Sequence, residues 1–292
     1  MSAMVKGTVA LATGKVTVDG VQIEKPLALK TEYVTINMST LPSGFVYGSL
    51  VIYNGELHKL GGTGKTHQKW NGSEWVTVST LPYDLQSGCA VVFEGCIHVL
   101  GGMYNNIKHY KWNGITWESV STIPISVENS CAVVCNNKIH ILGSKSTGYG
   151  FSHYAWNSTA WENVSTLPYE FYQGSAVVFN NEIHIFGSYV TGNRTYHYKW
   201  NGTTWESVST LPYNFNYGCV EVLDNKIHIL GGEGSYYAHY EYNNATWVKL
   251  KNLPISFYRG SAIVHKNEIY ILGGNADSLQ FNILNAKCYR EV

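Results

Sequence analysis

An all-β fold built from six copies of one unit is predicted by three repeated features of this 292-residue sequence. Gly-Gly or Gly-Ser pairs recur at intervals of 40, 42, 44, 44 and 42 residues, beginning at Gly61 and ending at Gly273. Six of the seven prolines follow Leu or Ile with the same period, from Pro42 to Pro254. All nine tryptophans fall in two columns of the repeat. A period of about 20 to 50 residues marks repeat architectures in which each copy is one supersecondary unit.

Each copy of the repeat predicts four antiparallel strands. In the second copy, residues 88–93 are small or β-branched, Glu94-Gly95 suits a two-residue hairpin turn, and residues 96–100 return toward the Gly pair. Residues 107–112 and 116–120 predict the third and fourth strands. Four antiparallel strands in about 40 to 45 residues make one propeller blade, so the sequence predicts a six-bladed β-propeller.

The two ends of the chain are expected to complete the ring together. Residues 33–38 precede Leu41-Pro42 as the fourth strand of each other copy precedes its own proline pair. The last copy, residues 260–284, supplies inner strands without a clear fourth. Closure by residues 33–38 gives a propeller over residues 32–292, and the C-terminal residues 287–292 are the alternative fourth strand.

Residues 1–31 lie outside the repeat. They alternate like short strands that are separated by Thr13-Gly14 and Asp19-Gly20 turns, and they are too few to bury a core alone. We expect them to form an N-terminal arm that anchors the propeller to assembly partners.

The repeat resembles the kelch repeat over residues 33 to about 284. The apolar strand that ends in Gly-Gly, the aromatic pair downstream and the Leu-Pro before the next inner strand all match. The aromatic pair departs from the usual spacing, because it stands as Trp-Asn-Gly-x-x-Trp. The arginine that often opens the inner strand of kelch repeats occurs only as Arg259. A divergent branch of this kind is typical of bacterial and phage proteins.

Composition and charge argue against nucleic acid and membranes as partners. Twenty Lys and Arg balance twenty Asp and Glu, so there is no electrostatic footprint for nucleic acid or an anionic membrane. No apolar run has the length of a membrane helix, and the first residues lack a signal-peptide pattern. Three cysteines share a column with three serines, which indicates a small side chain rather than a disulfide. These residues are Cys89, Cys131 and Cys219 beside Ser49, Ser175 and Ser261.

Ten of the eleven histidines form two columns of the repeat. A column places one histidine per blade around a ring, whereas zinc needs three or four ligands that converge on one point. Tyr270 replaces the histidine in the sixth copy of the first column, so we expect structural hydrogen bonds between blades, with no metal and no cofactor. The columns are His58, His98, His140, His184 and His228, then His67, His109, His153, His197 and His239.

No catalytic constellation is evident. Gly62-Thr63-Gly64-Lys65-Thr66 resembles the end of a phosphate-binding loop, but Lys59 stands where the first glycine belongs and the segment joins two strands. Neither a carboxylate pair for glycoside hydrolysis nor a nucleophile with its own base stands out. We therefore expect that the protein is not an enzyme.

The loops predict one ligand-binding face. Strand polarity places the second-to-third loops and the inter-blade loops on the same face of the disc, where they vary in length and chemistry. The inter-blade loops bring tyrosine and amide side chains to the mouth of the central channel, and such side chains suit glycans or peptides. The candidate ligand-binding residues are Tyr47, Glu128, Tyr172, Gln173, Tyr217, Tyr258 and Arg259.

These observations favour a binding or structural protein on a phage or prophage virion surface, such as a tail, baseplate or capsid-decoration component. It would be made in the host cytoplasm, attach to other virion subunits through residues 1–31, and contact a host glycan or protein with the loop face. One alternative is a cytoplasmic kelch scaffold for protein interactions. The other resembles the kelch-type sialic acid epimerases, which are exported and carry charged channels, whereas this mouth carries only Glu128 and Arg259 as charges.

Overall fold

The computed structural model describes residues 16–18, 21–23, 29–41, 45–62, 64–104, 106–190, 192, 194–253, 255–274 and 280–290. All regular elements among these residues are β-strands, and none is a helix that could cross a membrane. The chain divides into two compact units, residues 1–32 with 286–292 and residues 33–285. In the first unit, β1 (Val16–Val18) pairs antiparallel with β2 (Val21–Ile23), which confirms the strands predicted on either side of Asp19-Gly20. The predicted Thr13-Gly14 turn lies outside the described residues.

The second unit is an all-β propeller in which five sheets are each made of four consecutive antiparallel strands. The first is β4 (Ser49–Tyr53), β5 (Glu56–Leu60), β6 (Thr66–Trp70) and β7 (Trp75–Thr80). The second is β8 (Cys89–Phe93), β9 (Cys96–Leu100), β10 (Lys108–Trp112) and β11 (Trp117–Thr122). The third is β12 (Cys131–Cys135), β13 (Lys138–Leu142), β14 (Ser152–Trp156) and β15 (Trp161–Thr166). The fourth is β16 (Ser175–Phe179), β17 (Glu182–Phe186), β18 (Tyr196–Trp200) and β19 (Trp205–Thr210). The fifth is β20 (Cys219–Leu223), β21 (Lys226–Leu230), β22 (His239–Tyr242) and β23 (Trp247–Lys249).

Five blades of consecutive strands therefore form, not the predicted six. The sixth copy contributes β24 (Ser261–His265) and β25 (Glu268–Leu272) to a further sheet of order β24-β25-β26-β3. This sheet takes β3 (Leu29–Thr40) and β26 (Gln280–Arg290) from the two ends of the chain, with β26 paired to β25. The sixth copy lacks the hairpin with an aromatic residue, Asn and, four residues later, Trp that joins the last two strands of the other copies, so consecutive strands do not complete its sheet.

The core lies between neighbouring blades rather than within one. Val91 and Phe93 of β8 pack against Ile139 and Ile141 of β13, and similar apolar layers recur around the propeller. The second strands are almost wholly buried because both faces are covered by neighbouring blades, which explains their continuous apolar runs. The Gly pairs allow the inter-blade loops to approach the ends of the second strands closely. Gly143 has a φ of 62°, and a Cβ there would clash with the Phe171 carbonyl.

The two histidine columns hydrogen-bond within each blade, and the predicted histidine bonds between blades were wrong. In the third blade His140 Nδ1 lies 2.8 Å from His153 Nε2, and His153 Nδ1 lies 2.7 Å from Ser165 Oγ. The two histidines are diagonal neighbours on adjacent strands, since His140 pairs with Ala155, so they reach each other before another blade. The link between blades is Trp205, whose Nε1 donates to Ser165 Oγ at 3.0 Å.

The described residues contain no group of three or more potential metal ligands. The cysteines of the column are free thiols: the Sγ of Cys89, Cys131 and Cys219 each donates to the carbonyl of the residue that precedes the next inner strand.

Candidate functional site

Six inter-blade residues close a ring of backbone hydrogen bonds at the mouth of the central channel. Each N–H donates to the carbonyl of the preceding ring member, and the Tyr47 N–H closes the ring on the Arg259 carbonyl at 3.0 Å. We call these residues the mouth ring. They are Tyr47, Ser87, Asn129, Gln173, Tyr217 and Arg259.

All six mouth-ring residues adopt left-handed backbone conformations, with φ from 52° to 64°. Such φ values are uncommon outside glycine and cost of order 1–3 kcal/mol each for a non-glycine residue. The closed hydrogen-bond ring holds them in place, and an inner strand begins two residues after each of them. The side chains are thus presented by rigid backbone, as a binding site requires.

The mouth ring and the residue after each member line a cavity of about 130 Å³. This volume corresponds to about four waters at ~30 Å³ each, well below the ~300 Å³ of small-molecule pockets. A ligand can therefore place one polar group in the cavity while the remainder lies on the surrounding loops.

Six tyrosines form a continuous cluster along one side of the mouth. Tyr217 is at its centre, with ring centroids 6.0 Å from Tyr47, 6.0 Å from Tyr189 and 5.2 Å from Tyr258. Tyr172 extends the cluster beyond Tyr189, and Tyr236 extends it beyond Tyr258. The tyrosine cluster is Tyr47, Tyr172, Tyr189, Tyr217, Tyr236 and Tyr258.

Burial governs the ionisation of four tyrosines of the cluster. It raises the pKa of Tyr47, Tyr217 and Tyr258, and this outweighs the opposing effect of the Arg259 guanidinium on each. Burial also raises the pKa of Tyr172. These phenols are neutral at physiological pH, so they offer hydroxyl donors and aromatic faces rather than negative charge.

Arg259 is the cation of the mouth. Its guanidinium carbon lies 4.4 Å from the ring centroid of Tyr258, 4.6 Å from that of Tyr217 and 5.3 Å from that of Tyr47. Cation–π contacts of this kind hold the side chain in place without neutralising it.

Three buried polar atoms beside Tyr217 have no hydrogen-bond partner among the described residues: Gln173 Oε1, Asn216 Oδ1 and Arg259 Nε. Gln173 is 8% exposed and Asn216 is fully buried. The orientation of the Asn216 amide is set by its Nδ2, which donates to Glu233 Oε2 at 2.7 Å. Most buried polar groups are paired, and an unpaired one calls for an explanation such as a ligand, an ion or an ordered water.

No model of a known protein family matches the chain. No curated protein matches it by sequence. Its fold matches 519 chains of solved structure. One of these, described as "Structure of YjhT", is 14% identical with a TM-score of 0.74, and the match covers 86% of this chain and 99% of that chain. At this identity the similarity shows the propeller fold alone.

The structure brings most of the predicted site residues together. Tyr47, Gln173, Tyr217 and Arg259 line the cavity. Tyr172 and Tyr258 belong to the tyrosine cluster. Glu128 does not line the cavity, and its carboxylate lies 3.8 Å from Lys145 Nζ on the adjoining loop. Ligand binding by these residues stays a prediction.

Three further residues of the site were not predicted. Tyr189 and Tyr236 follow the Gly pairs of the fourth and fifth copies in the second-to-third loops, and Asn216 directly precedes Tyr217. The sequence could have indicated the two tyrosines as site residues, because the second-to-third loops are predicted to lie on the same face as the inter-blade loops. Backbone bonds from Tyr189 N–H to the Tyr172 carbonyl and from Glu233 N–H to the Asn216 carbonyl join the two sets of loops.

A carboxyl on an inner strand was also missed. Glu221 of β20 stands in a column that is Val or Ile in the other copies. Its Oε2 accepts a hydrogen bond from the Val264 N–H at 3.2 Å, and burial raises the pKa of Glu221 to about 8. At neutral pH this carboxyl is mostly protonated. In the sequence, a charged residue in an apolar column was the only indication of it.

Proposed function

We propose that the chain is a non-enzymatic binding protein that recognises a hydroxyl-rich ligand of the glycan class at the mouth of its central channel. The tyrosine cluster carries the proposal, because neutral phenols combine apolar faces for sugar rings with hydroxyls for hydrogen bonds. A non-enzymatic role is supported by the described residues that line the cavity, which include neither a histidine nor a carboxylate.

The sheet β24-β25-β26-β3 serves, in this proposal, as the sixth blade of a kelch-type propeller. The mouth ring supports it, since it takes one residue from each of the six copies and closes through Arg259 and Tyr47. A blade formed by both chain ends ties the ring together where a propeller would otherwise open.

The biological setting in this proposal is a phage or prophage virion surface. Residues 1–31 would attach the propeller to other virion subunits, and the loop face would contact a host glycan or protein. Normal assembly of a chain that lacks residues 1–30 would contradict the role of the arm.

Glycan-array binding followed by titration calorimetry tests the function. We expect Tyr217→Ala to weaken binding about tenfold or more, because it removes the centre of the cluster, and Tyr172→Ala and Tyr258→Ala to weaken it less. Tyr104→Ala is the matched control, since Tyr104 is 88% exposed and lies outside the cluster.

The alternatives give distinct outcomes in the same experiment. Conversion of a bound sugar into its epimer would favour the enzyme alternative. Absence of any glycan binding, combined with capture of one defined protein that Tyr217→Ala abolishes, would favour the protein-interaction scaffold.

A further inference from the structure

The mouth of the channel carries a positive charge that forms no ion pair among the described residues. The ion pairs among the described residues join lysines to glutamates, and none includes Arg259. Glu128 is paired with Lys145, and Glu233 accepts a bond from Asn216. The neighbours of the Arg259 guanidinium are instead three tyrosine rings.

The tyrosines cannot supply the missing negative charge. Burial holds the phenols of Tyr47, Tyr217 and Tyr258 in their neutral form at physiological pH. A half-buried guanidinium without a counter-charge is costly, and a ligand anion would relieve that cost.

The polar atoms without hydrogen-bond partners indicate which polar groups the ligand carries. Arg259 Nε–H is a free donor, and an acid group that approaches the guanidinium side-on accepts from Nε and a terminal nitrogen together. Gln173, which lines the cavity, has an acceptor Oε1 without a partner among the described residues, and this acceptor calls for a hydroxyl donor.

We infer that the ligand is an anionic saccharide whose acid group enters the mouth and pairs with Arg259, while its sugar rings lie along the tyrosine cluster. The inference rests on the proposed function and adds the charge of the ligand to it. The small cavity accommodates one such acid group, and the loops outside it hold the remaining sugars.

Binding of matched acidic and neutral saccharides tests the inference. The probes are oligogalacturonate, oligoguluronate and hyaluronan oligosaccharides, each beside its methyl ester, together with sulfated and unsulfated dextran. We expect at least tenfold tighter binding of one acidic probe than of its uncharged counterpart, and a preference that declines with added salt. The carboxylated and sulfated probes distinguish the two sources of the anion.

Arg259→Gln is expected to remove the preference for the acidic probe and to leave the weaker binding of the neutral counterpart. Arg194→Gln is the matched control, because Arg194 stacks on Tyr189 at 5.2 Å but does not line the cavity. If Arg259→Gln fails to fold, Arg259→Lys keeps the charge but loses the side-on geometry, so it should reduce the preference without abolishing it.

The outcomes separate the inference from the proposed function. Equal binding of acidic and uncharged saccharides, or a preference that persists in Arg259→Gln, overturns the inference and leaves the proposed function intact. Absence of binding to every saccharide on the array overturns the proposed function and the inference with it.

Discussion

At the scale of a single residue, Lys59 is a charged side chain in an apolar column of the repeat. It is fully buried on β5 in a column that is Val or Ile in the other copies, and its Nζ has no hydrogen-bond partner among the described residues. The nearest groups include the rings of Phe45 and Trp75, at 5.4 and 5.8 Å from Nζ. Desolvation lowers the pKa of Lys59 to about 8, because burial disfavours the ammonium form.

Replacing Lys59 should therefore stabilise the protein. The folded-state pKa of about 8 lies below the unfolded value of 10.5, so the unfolded chain binds the proton more tightly. The penalty is present in full below pH 8 and is relieved as the pH rises toward 10.5. We expect Lys59→Met to raise the free energy of unfolding at pH 7 by about 3 kcal/mol in urea titrations.

The exposed ion pair of Lys69 with Glu56 provides the control for Lys59. Lys69→Met should change the free energy of unfolding by less than about 1 kcal/mol. Loss of stability in Lys59→Met would show that the ammonium has a partner that stabilises it.

Neighbouring elements are joined by a directed chain of hydrogen bonds. An indole N–H can only donate, so Trp247 Nε1 donates to Ser209 Oγ at 3.0 Å. The Ser209 hydroxyl is then free to donate to His197 Nδ1 at 2.8 Å. His197 consequently carries its proton on Nε2 and donates it to His184 Nδ1 at 2.9 Å. Both histidines are neutral in this arrangement, and a tryptophan of the next blade completes it.

Removing the serine should uncouple two blades. Ser209→Ala leaves both the Trp247 N–H and His197 Nδ1 without a partner at a buried interface. We expect a loss of about 2–4 kcal/mol in the free energy of unfolding, because each orphaned group costs about 1–3 kcal/mol. Ser207→Ala, on the exposed side of the same strand, should change it by less than about 0.5 kcal/mol. Equal effects of the two substitutions would contradict the directed chain.

At the scale of the whole molecule, the histidines make the fold sensitive to acid. Desolvation lowers the pKa to about 4 for the five histidines of the second strands and to about 3 for the five of the third strands. Unfolded histidines titrate near 6.5, so each contributes stability that is complete above pH 6.5 and is lost as the pH falls toward these folded-state values.

We expect cooperative unfolding between about pH 6 and 5, because each histidine has lost about 2 kcal/mol of its stabilising contribution at pH 5 and typical domains have only about 5–15 kcal/mol in total. Urea midpoints measured by circular dichroism at pH 7.5, 6.5 and 5.5 would follow the loss. A midpoint that stays constant down to pH 4.5 would mean that the histidines remain neutral in the unfolded chain or charged in the folded one.

The sequence by itself determined the repeat, the four strands of the first five copies and the residues that the inter-blade loops bring to the mouth. Periodicity carries this information because each copy folds through contacts between residues near in sequence, such as the hairpin turns and apolar alternation around Cys89–Phe93.

Only the tertiary structure decided how the two chain ends share one sheet, because β3 and β26 are far apart in sequence and carry no shared pattern. Only packing showed that Tyr189 and Tyr236 join the tyrosine cluster, and that the Arg259 guanidinium lies against Tyr47, Tyr217 and Tyr258. Those contacts connect different copies of the repeat, and their distances follow from the closure of the ring rather than from any local pattern of residues.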